Sequence, residues 1–487
     1  MELYSWGIAS LTCDRVNLFS RSLESITGEL QSRGHDKPVA VFDDSREIDT
    51  RDEKRRLTGE ICRGQGVHSL YIGLEEKKTF LEILKESLPG EFNEAVYYFI
   101  LGDPGVPYIK GPGGNRNAIL SAFAGKRLVS IDDDIILNTR VLPGSSPDVT
   151  LTRDKPGLDI GFFPDIQTLE NITIPYTDDV FKYFDIYTGA ATETLAPGSE
   201  HGKIKASMSG FYGGRWSQRH FISLFSEGRL RDLGLKSSAD YKKTRYNMLG
   251  LVQAPNVLIS RHPLFLGDAI GIDATSIVPP FEPHVRGEDT IWSDLLQFCD
   301  KNCMIAAFPF ALYHDHTEKQ PFSKKDLKTA GADLGLNMIL LFSAAAEKTQ
   351  CPPGSDPLAC FGRTLIEFSE FPHNRWIDMC RALWYGYVGN VTETLKGLLA
   401  EYGRKPGFWA KDVDAFLDRI RSASMDIESF IPRELHAAGS PQEAGRAHRR
   451  MLYNYGMLLT GWSRIWDEIL KINSSGHGLL GENYNLL

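Results

Sequence analysis

The sequence lacks the features that mark several specialised classes of protein. No apolar run reaches the length of a membrane span, so we expect no transmembrane segment. Met1–Trp6 has no basic segment followed by an apolar one, so a cleaved signal peptide is not expected and a cytoplasmic location is predicted. No short repeat or low-complexity tract stands out, which argues against a solenoid or a disordered linker.

Cysteine is scarce, and its spacing is not that of a cross-linked or zinc-bound fold. The seven cysteines are odd in number and form no CxxC motif. Cys299 and Cys303 lie one helical turn apart, but no histidine or cysteine at zinc spacing supports them, so packing is the better interpretation. The net charge of −9 is spread along the chain, so we expect neither a nucleic-acid partner nor binding to anionic membranes.

The length and the periodicity together predict two domains. A chain of 487 residues exceeds the usual size of one hydrophobic core. Strand-like and helix-like segments alternate in the first part, which predicts an α/β domain over residues 1–322. Residues 141–205 are rich in Pro, Gly, Asp and Thr, so irregular structure or an insertion is expected there. Helical periodicity then predicts an α-helical C-terminal domain over residues 323–487.

Three consecutive aspartates, Asp132 to Asp134, follow the apolar run 127–131 and are the most informative residues of the chain. Carboxylates at a strand end suit Mg²⁺ or Mn²⁺, and such an ion usually completes its shell with phosphate oxygens. An acidic turn is the alternative, and an isolated triplet would favour it. However, Thr12–Arg15 and Asp43–Ser45 also follow apolar strands, and ligands of parallel sheets bind outside these carboxyl ends.

Three further segments carry polar residues near predicted element ends. Asn115–Asn117 follows the glycine-rich loop Gly111–Gly114, which matches neither a Walker A motif nor a dinucleotide fingerprint. We interpret this loop as a turn that starts a helix close to a ligand. Arg286–Thr290 opens a predicted helix with a Gly-Glu-Asp sequence, and the apolar run Met304–Tyr313 ends in His314-Asp-His316.

Together these segments resemble a GT-A fold glycosyltransferase, most like the broad family 2 glycosyltransferases. The matching segments, in the family's order, are Thr12-Cys-Asp-Arg15, Val41-Phe-Asp-Asp-Ser45, Asn115-Arg-Asn117, Ser130-Ile-Asp-Asp-Asp134 and Arg286-Gly-Glu-Asp-Thr290. The resemblance covers about residues 3–320 and departs from the family in the long stretch between the last two segments. It implies a Rossmann-like, mostly parallel nucleotide-diphospho-sugar transferase sheet and metal-dependent sugar transfer.

The resemblance also implies a role for each candidate residue. A nucleotide-sugar donor is implied, with a UDP-sugar favoured over a GDP-sugar, and the residues expected to contact it are Thr12, Asp14, Arg15, Asp43, Asp44, Asn115, Arg116, Asp132 and Asp133. The residues expected to bind Mn²⁺ or Mg²⁺ are Asp132, Asp134, and His314 or His316. For an inverting reaction, which is favoured, the preferred base is Asp289 and its competitor is Glu288. Retaining chemistry would need no such base.

Each of these residues also has a plausible structural role. Asp43 or Asp44 would equally cap the next helix, and Arg116 would equally form a structural ion pair. Glu288 and Asp289 would both be stabilised as negative charges at the first turn of a helix.

Two rival functions stay open at this point. A sugar-phosphate nucleotidyltransferase also uses metal-bound aspartates, but it normally has a basic, glycine-rich loop after the first strand, and Thr12–Asn17 is not glycine-rich. The other rival is a non-catalytic sugar-nucleotide-binding scaffold. The acceptor is open among a peptide, a natural product, a glycan and a lipid-linked sugar. The helical domain is expected to serve acceptor recognition or to form a homodimer.

Overall fold

In the computed structural model, strands and helices alternate at the start of the chain, as predicted. The structure describes residues 6–103, 105, 111–152, 157–196, 201–215, 230, 236–261, 264–315, 317, 333–423 and 430–481. The first elements are β1 (Trp6–Thr12), α1 (Val16–Arg33), β2 (Val39–Asp43), α2 (Ile48–Gly64), β3 (Ser69–Ile72), α3 (Leu74–Glu86), α4 (Asn93–Leu101), α5 (Gly113–Ala122) and β4 (Arg127–Asp132).

The middle of the chain adds nine strands and five helices to those elements within the described residues. They are β5 (Ile135–Val141), β6 (Val149–Thr152), β7 (Asp159–Phe163), α6 (Ile166–Ile172), β8 (Ile174–Pro175), α7 (Val180–Tyr187), α8 (Thr192–Leu195), β9 (Lys203–Arg215), α9 (Ser238–Asn247), β10 (Leu249–Gln253), β11 (Val257–Ser260), β12 (Ala269–Asp273), α10 (Glu288–Cys299) and β13 (Cys303–His314).

The described part of residues 141–205, where irregular structure or an insertion was expected, contains regular elements. Three short strands and three short helices lie there, and β6 and β7 join the main sheet. The polar composition has a local cause, because Asp165 and Asp179 cap the N-termini of α6 and α7 with their carboxylates. Turn and cap residues between short elements therefore produced the loop-like composition.

One large mixed sheet organises the domain, with the strand order β3-β2-β1-β4-β12-β9-β13-β11-β6. The first four of these strands are parallel, and β12 runs antiparallel to β4. Leu11 of β1 pairs with Asp132 of β4, and Thr12 pairs with Asp43 of β2. The carboxyl ends of β1, β2 and β4 are therefore in line, which places three of the predicted polar segments at one edge. The predicted α/β class is confirmed, with a sheet that is mixed.

Five long helices make up the described C-terminal region. They are α11 (Leu334–Lys348), α12 (Pro357–Ser369), α13 (His373–Glu401), α14 (Gly407–Ala423) and α15 (Pro441–Ser474). One continuous hydrophobic cluster extends from Ala9 in β1 to Leu479 beyond α15, so the helical region and the sheet share a core. Among the described helices, none is both long and apolar enough to cross a membrane.

His448 of α15 is a buried polar residue in this shared core. Only 1% of it is exposed, and its ring lies edge-on to Trp376 of α13, 5.1 Å between centroids. Its Nε2 has no hydrogen-bond partner among the described residues. Burial lowers the pKa of His448 to about 3, and the positive charge of Arg449 adds to this effect.

We expect His448→Gln to reduce the loss of stability in acid. The pKa of an unfolded histidine is near ~6.5, so below that pH the unfolded state binds a proton. Folded His448 stays neutral in the same range, because its pKa is much lower. As the pH is lowered from ~6.5 to ~4, titration of His448 should therefore reduce the wild-type free energy of unfolding by about 1.4 kcal/mol per pH unit. Denaturant titrations across this range measure the slope. His477→Gln, at an exposed position, is the control, and an unchanged slope in His448→Gln would contradict the assignment.

Candidate functional site

The carboxyl end of β4 carries the aspartate triplet into a buried turn. Asp132 ends the strand with 21% of its side chain exposed, whereas the side chains of Asp133 and Asp134 are 1% and 6% exposed. Asp133 Oδ2 accepts hydrogen bonds from Thr12 Oγ1 at 2.7 Å and from the Cys13 backbone N–H at 3.3 Å. The end of β1 thus holds the middle carboxylate in place.

Two arginines contact the triplet from different directions. Arg15 precedes α1, and its guanidinium contacts Asp133 Oδ1 and lies 2.7 Å from Asp134 Oδ2. Arg116 of α5 is only 3% exposed. Its Nη2 lies 2.9 Å from Asp132 Oδ1 and its Nε lies 3.1 Å from Glu288 Oε1. Arg116 therefore links the aspartate triplet to the start of α10.

Further carboxylates reach the same place from β12 and α10. Asp268, just before β12, accepts the Asp132 backbone N–H with its carbonyl at 2.9 Å. Asp289 Oδ2 accepts the Gly267 N–H at 2.9 Å. We call the resulting group of six carboxylates the acidic edge; its members are Asp132, Asp133, Asp134, Asp268, Glu288 and Asp289.

Negative charge exceeds positive charge at the acidic edge, and the titration of its members reflects this. Burial raises the pKa of Asp132 to about 8; the guanidinium of Arg116 opposes the shift, and three neighbouring carboxylates add to it. Burial also raises the pKa of Asp133 and of Glu288. The neighbouring cations, which include Arg15, Arg116, Lys54 and Arg286, therefore do not fully offset the cost of burying these carboxylates.

His314, the last residue of β13, brings an imidazole to the acidic edge. Its Nε2 lies 3.2 Å from Asp134 Oδ2, and its Nδ1 lies 3.7 Å from Asp268 Oδ1. Donor atoms about 3 Å apart have the spacing of neighbouring ligands around Mg²⁺ or Mn²⁺, whose bonds are about 2.1 Å long. The other predicted histidine, His316, lies outside the described residues.

The donor atoms fit a divalent ion as a partial set. Within the described parts of the chain, no group of three or more His, Cys, Asp or Glu side chains is arranged to hold a metal ion. Asp134 and His314 form a pair of adjacent donors. Asp132 lies near this pair, because the charge of Asp134 contributes to the raised pKa of Asp132. Mg²⁺ and Mn²⁺ commonly bind to one or two carboxylates and take their remaining ligands from substrate phosphate and water, so a partial set is compatible with them.

Asp43, predicted to bind a nucleobase, is buried and bonded on both carboxylate oxygens. Its Oδ1 accepts hydrogen bonds from the Ser45 N–H at 2.9 Å and from Lys54 Nζ at 3.3 Å, and its Oδ2 accepts one from Tyr71 at 2.5 Å. The Asp43 side chain is 0% exposed. It therefore stabilises the ends of β1 and β2, and we leave it out of the proposed donor contacts.

Asp44 and Asn115 likewise meet a buried lysine. Lys77 of α3 donates to Asp44 Oδ1 at 2.7 Å and to Asn115 Oδ1 at 2.6 Å. The Asn115 amide also donates to the Phe42 carbonyl at 2.8 Å. These bonds join α3, β2 and α5, so their observed role is structural.

Thr12 is buried, whereas Asp14 is exposed. Thr12 Oγ1 donates to Asp133 and accepts a hydrogen bond from Lys54 at 2.7 Å. Asp14 is exposed, has a φ of 56°, and accepts the Arg46 backbone N–H at 3.2 Å. Of the predicted donor contacts, Asp14, Arg15 and Asp132 are the ones that reach solvent.

The two glycines at the start of α5 allow close backbone packing. A Cβ on Gly113 would lie 2.0 Å from the Glu282 carbonyl oxygen, and one on Gly114 would lie 2.3 Å from the Ile100 carbonyl oxygen. Only glycine permits so close an approach. The contact fixes Arg116 relative to the segment that leads to Glu288.

Sequence reasoning missed Asp268, Lys54 and Lys77. Asp268 comes before an apolar strand, whereas the predicted aspartate triplet comes at the end of one. Because β12 is antiparallel to β4, its amino end lies at the carboxyl end of β4. The two lysines lie in highly charged helices and carry no signal that separates them from exposed neighbours.

No protein-family model, no curated protein and no solved structure matches this chain. The geometry and charge of the acidic edge are therefore the basis for a functional proposal.

We expect Asp132→Asn to stabilise the protein at pH ~8 in a chelator. The folded pKa of Asp132, about 8, exceeds the ~3.9 of an unfolded aspartate, so the folded state retains a proton that the unfolded state releases. The contribution of Asp132 to the free energy of unfolding is therefore fully present below about pH 4 and is lost as the pH rises from about 4 to about 8. Asparagine removes this loss, and the Tm at pH ~8 should rise by roughly 2 °C or more.

Asp273→Asn is the matched control for this measurement. Burial opposes ionisation of Asp273, but hydrogen bonds from Lys203 and Thr275 and the charge of Lys205 outweigh it and lower the pKa of Asp273. Neutralising this carboxylate should therefore lower the Tm at pH ~8. If Asp132→Asn lowers the Tm as well, negative charge is not in excess at the acidic edge.

Proposed function

We propose that this chain is a metal-dependent glycosyltransferase of GT-A type. Its donor would be a nucleoside-diphosphate sugar, with a UDP-sugar favoured, and its acceptor would present a hydroxyl group. The observation that carries the proposal is the excess of buried carboxylates at the carboxyl edge of the parallel strands, next to the histidine of β13. In sheets with parallel strands, nucleotides bind at this edge.

The charge at this edge is informative because a diphosphate is itself negative. An acidic edge would repel the donor unless a cation bound between them. Asp134 and His314 would hold this cation, Asp132 would lie beside it as a further negative charge, and the donor diphosphate would complete its shell. When bound, Mn²⁺ or Mg²⁺ would stabilise the negative charge that develops on the departing diphosphate.

Arg116 would orient the reacting groups from the buried side of the site. Its Nη2 and Nε are occupied by Asp132, Glu288 and the Gly267 carbonyl. Its Nη1 is buried and has no hydrogen-bond partner among the described residues. A buried donor without a partner is costly, so an oxygen of a bound donor molecule is a suitable partner for it.

Glu288 would remove the proton of the acceptor hydroxyl in an inverting reaction. Burial and the charge of Asp289 raise its pKa, which brings the carboxylate closer to the basicity that a general base needs. Asp289, preferred from the sequence, already accepts the backbone N–H groups of Gly267 and Thr290 with its two oxygens. These contacts support Glu288 as the proposed base and Asp289 as the residue that fixes the start of α10.

We expect UDP together with Mn²⁺ to stabilise the folded protein. A ligand that binds only the folded state raises the Tm, by mass action, and saturation at about 100 times Kd adds about 2.7 kcal/mol. A thermal-shift screen of UDP, GDP and their sugars, with Mn²⁺ or with EDTA, measures this effect. Asp134→Asn should lose the Mn²⁺-dependent part of the shift.

Asp378→Asn is the control for this screen, because Asp378 is an exposed residue of α13 paired with Arg381. It should keep the full shift. If no nucleotide shifts the Tm under any metal condition, the donor assignment fails. If UDP shifts it equally in EDTA, the metal assignment fails.

We expect Glu288→Gln to abolish the slow hydrolysis of the preferred UDP-sugar while leaving UDP binding intact. Water replaces the acceptor in this assay, and glutamine cannot take its proton, so the rate should fall by about 10²-fold or more. The wild-type rate should rise with pH as Glu288 ionises, at a pH above the usual glutamate range. Glu367→Gln, in an exposed pair with Lys348, is the control. Nucleotide binding without turnover in the wild type would instead support a non-catalytic binding protein.

A further inference from the structure

Arg15 occupies a position that differs from that of Arg116. Its guanidinium spans Asp133 and Asp134, and it lies 2.7 Å from Asp134 Oδ2. Its side chain is 37% exposed, whereas those two carboxylates are almost completely buried. Arg15 therefore covers the carboxylates from the solvent side, where a ligand has to approach.

The oxygen that Arg15 contacts is also the oxygen nearest to the histidine. Asp134 Oδ2 lies 3.2 Å from His314 Nε2. A cation that bound to both Asp134 and His314 would use this oxygen, and it would repel a guanidinium held beside it. Binding of the cation and the present contact of Arg15 with Asp134 therefore exclude each other.

The carboxylate partner that Arg15 would leave remains bonded. If Arg15 leaves, Asp133 Oδ2 still accepts hydrogen bonds from Thr12 Oγ1 at 2.7 Å and from the Cys13 N–H at 3.3 Å, so this carboxylate keeps two donors. Arg116, in contrast, is 3% exposed and is held by Asp132, Glu288 and Gly267. Of the two arginines, Arg15 is therefore the one placed to move.

We propose that Arg15 is a two-position residue that couples cation binding to diphosphate binding. In one position it bridges Asp133 and Asp134. In the other, after a divalent cation has taken Asp134, its guanidinium binds the donor diphosphate, for which a planar pair of N–H donors is well suited. This inference rests on the proposed function, because it requires the cation and the diphosphate to meet at the acidic edge.

The coupling predicts effects of opposite sign on the two ligands. Arg15→Gln removes the competitor, so Mn²⁺ alone should bind about tenfold more tightly. It also removes a diphosphate contact, so UDP should bind about tenfold more weakly when Mn²⁺ is saturating. Electron paramagnetic resonance of free Mn²⁺ measures the first affinity, and calorimetry with UDP measures the second. Neither measurement requires turnover.

Arg15→Lys separates displacement from simple charge repulsion. Lysine keeps the positive charge but cannot span two carboxylates as a planar fork. If displacement of the bridge limits cation binding, this variant should also bind Mn²⁺ more tightly than the wild type. It also serves if Arg15→Gln does not fold. Arg33→Gln is the matched control, because Arg33 is a similarly exposed arginine of α1, paired with Glu29 at 3.0 Å, and should leave both affinities unchanged.

The outcomes separate this inference from the proposed function. Equal Mn²⁺ affinities in the wild type, Arg15→Gln and Arg15→Lys would overturn the coupling while the cation site stands. Tighter Mn²⁺ binding in Arg15→Gln but not in Arg15→Lys would reduce the role of Arg15 to through-space repulsion and would also overturn it. Absence of Mn²⁺ binding in all three proteins would overturn the cation site itself, and with it both proposals.

Discussion

The excess of carboxylates over guanidinium groups at one edge of the sheet is the constraint on which the rest of the site depends. Six carboxylates converge from β4, β12 and α10, and two arginines meet them. Buried charge is costly without a partner, so a fold that is optimised only for stability would avoid this arrangement. Such a cost persists where the charged groups act on a ligand, and this is the physical basis of the cation binding that we propose for the acidic edge.

Two buried lysines allow the strand ends to carry this charge. Lys54 bonds to Thr12, Asp43 and Ser45, and Lys77 bonds to the Asp43 carbonyl as well as to Asp44 and Asn115. Both side chains are 0% exposed. They therefore fix the carboxyl ends of β1 and β2, and Lys54 is linked to Asp133 through the Thr12 hydroxyl. A rigid support of this kind keeps the repelling carboxylates from moving apart.

Sequence reasoning located the edge but not its full membership. Apolar runs that end in Thr12–Arg15, Asp43–Ser45 and Asp132–Asp134 identify strand ends that lie together, because parallel strands share a carboxyl edge. Asp268 escaped because it begins an antiparallel strand, a direction that apolar runs do not reveal. The buried state of Asp43 was equally hidden, since its partners Lys54 and Tyr71 come from other elements. Local patterns predict elements and their ends, whereas tertiary contacts decide which polar groups face a ligand.

Helix α15 connects the helical region to the candidate site. Residues 278–285, between β12 and α10, are irregular and buried, so their carbonyl groups need donors from elsewhere. Trp462 of α15 donates to the Val278 carbonyl at 2.7 Å, and Tyr455 of α15 donates to the Pro280 carbonyl at 2.6 Å. Because this segment leads directly into Glu288, the far end of the chain sets the position of the proposed base. The helical region thus supports the candidate site as well as the fold.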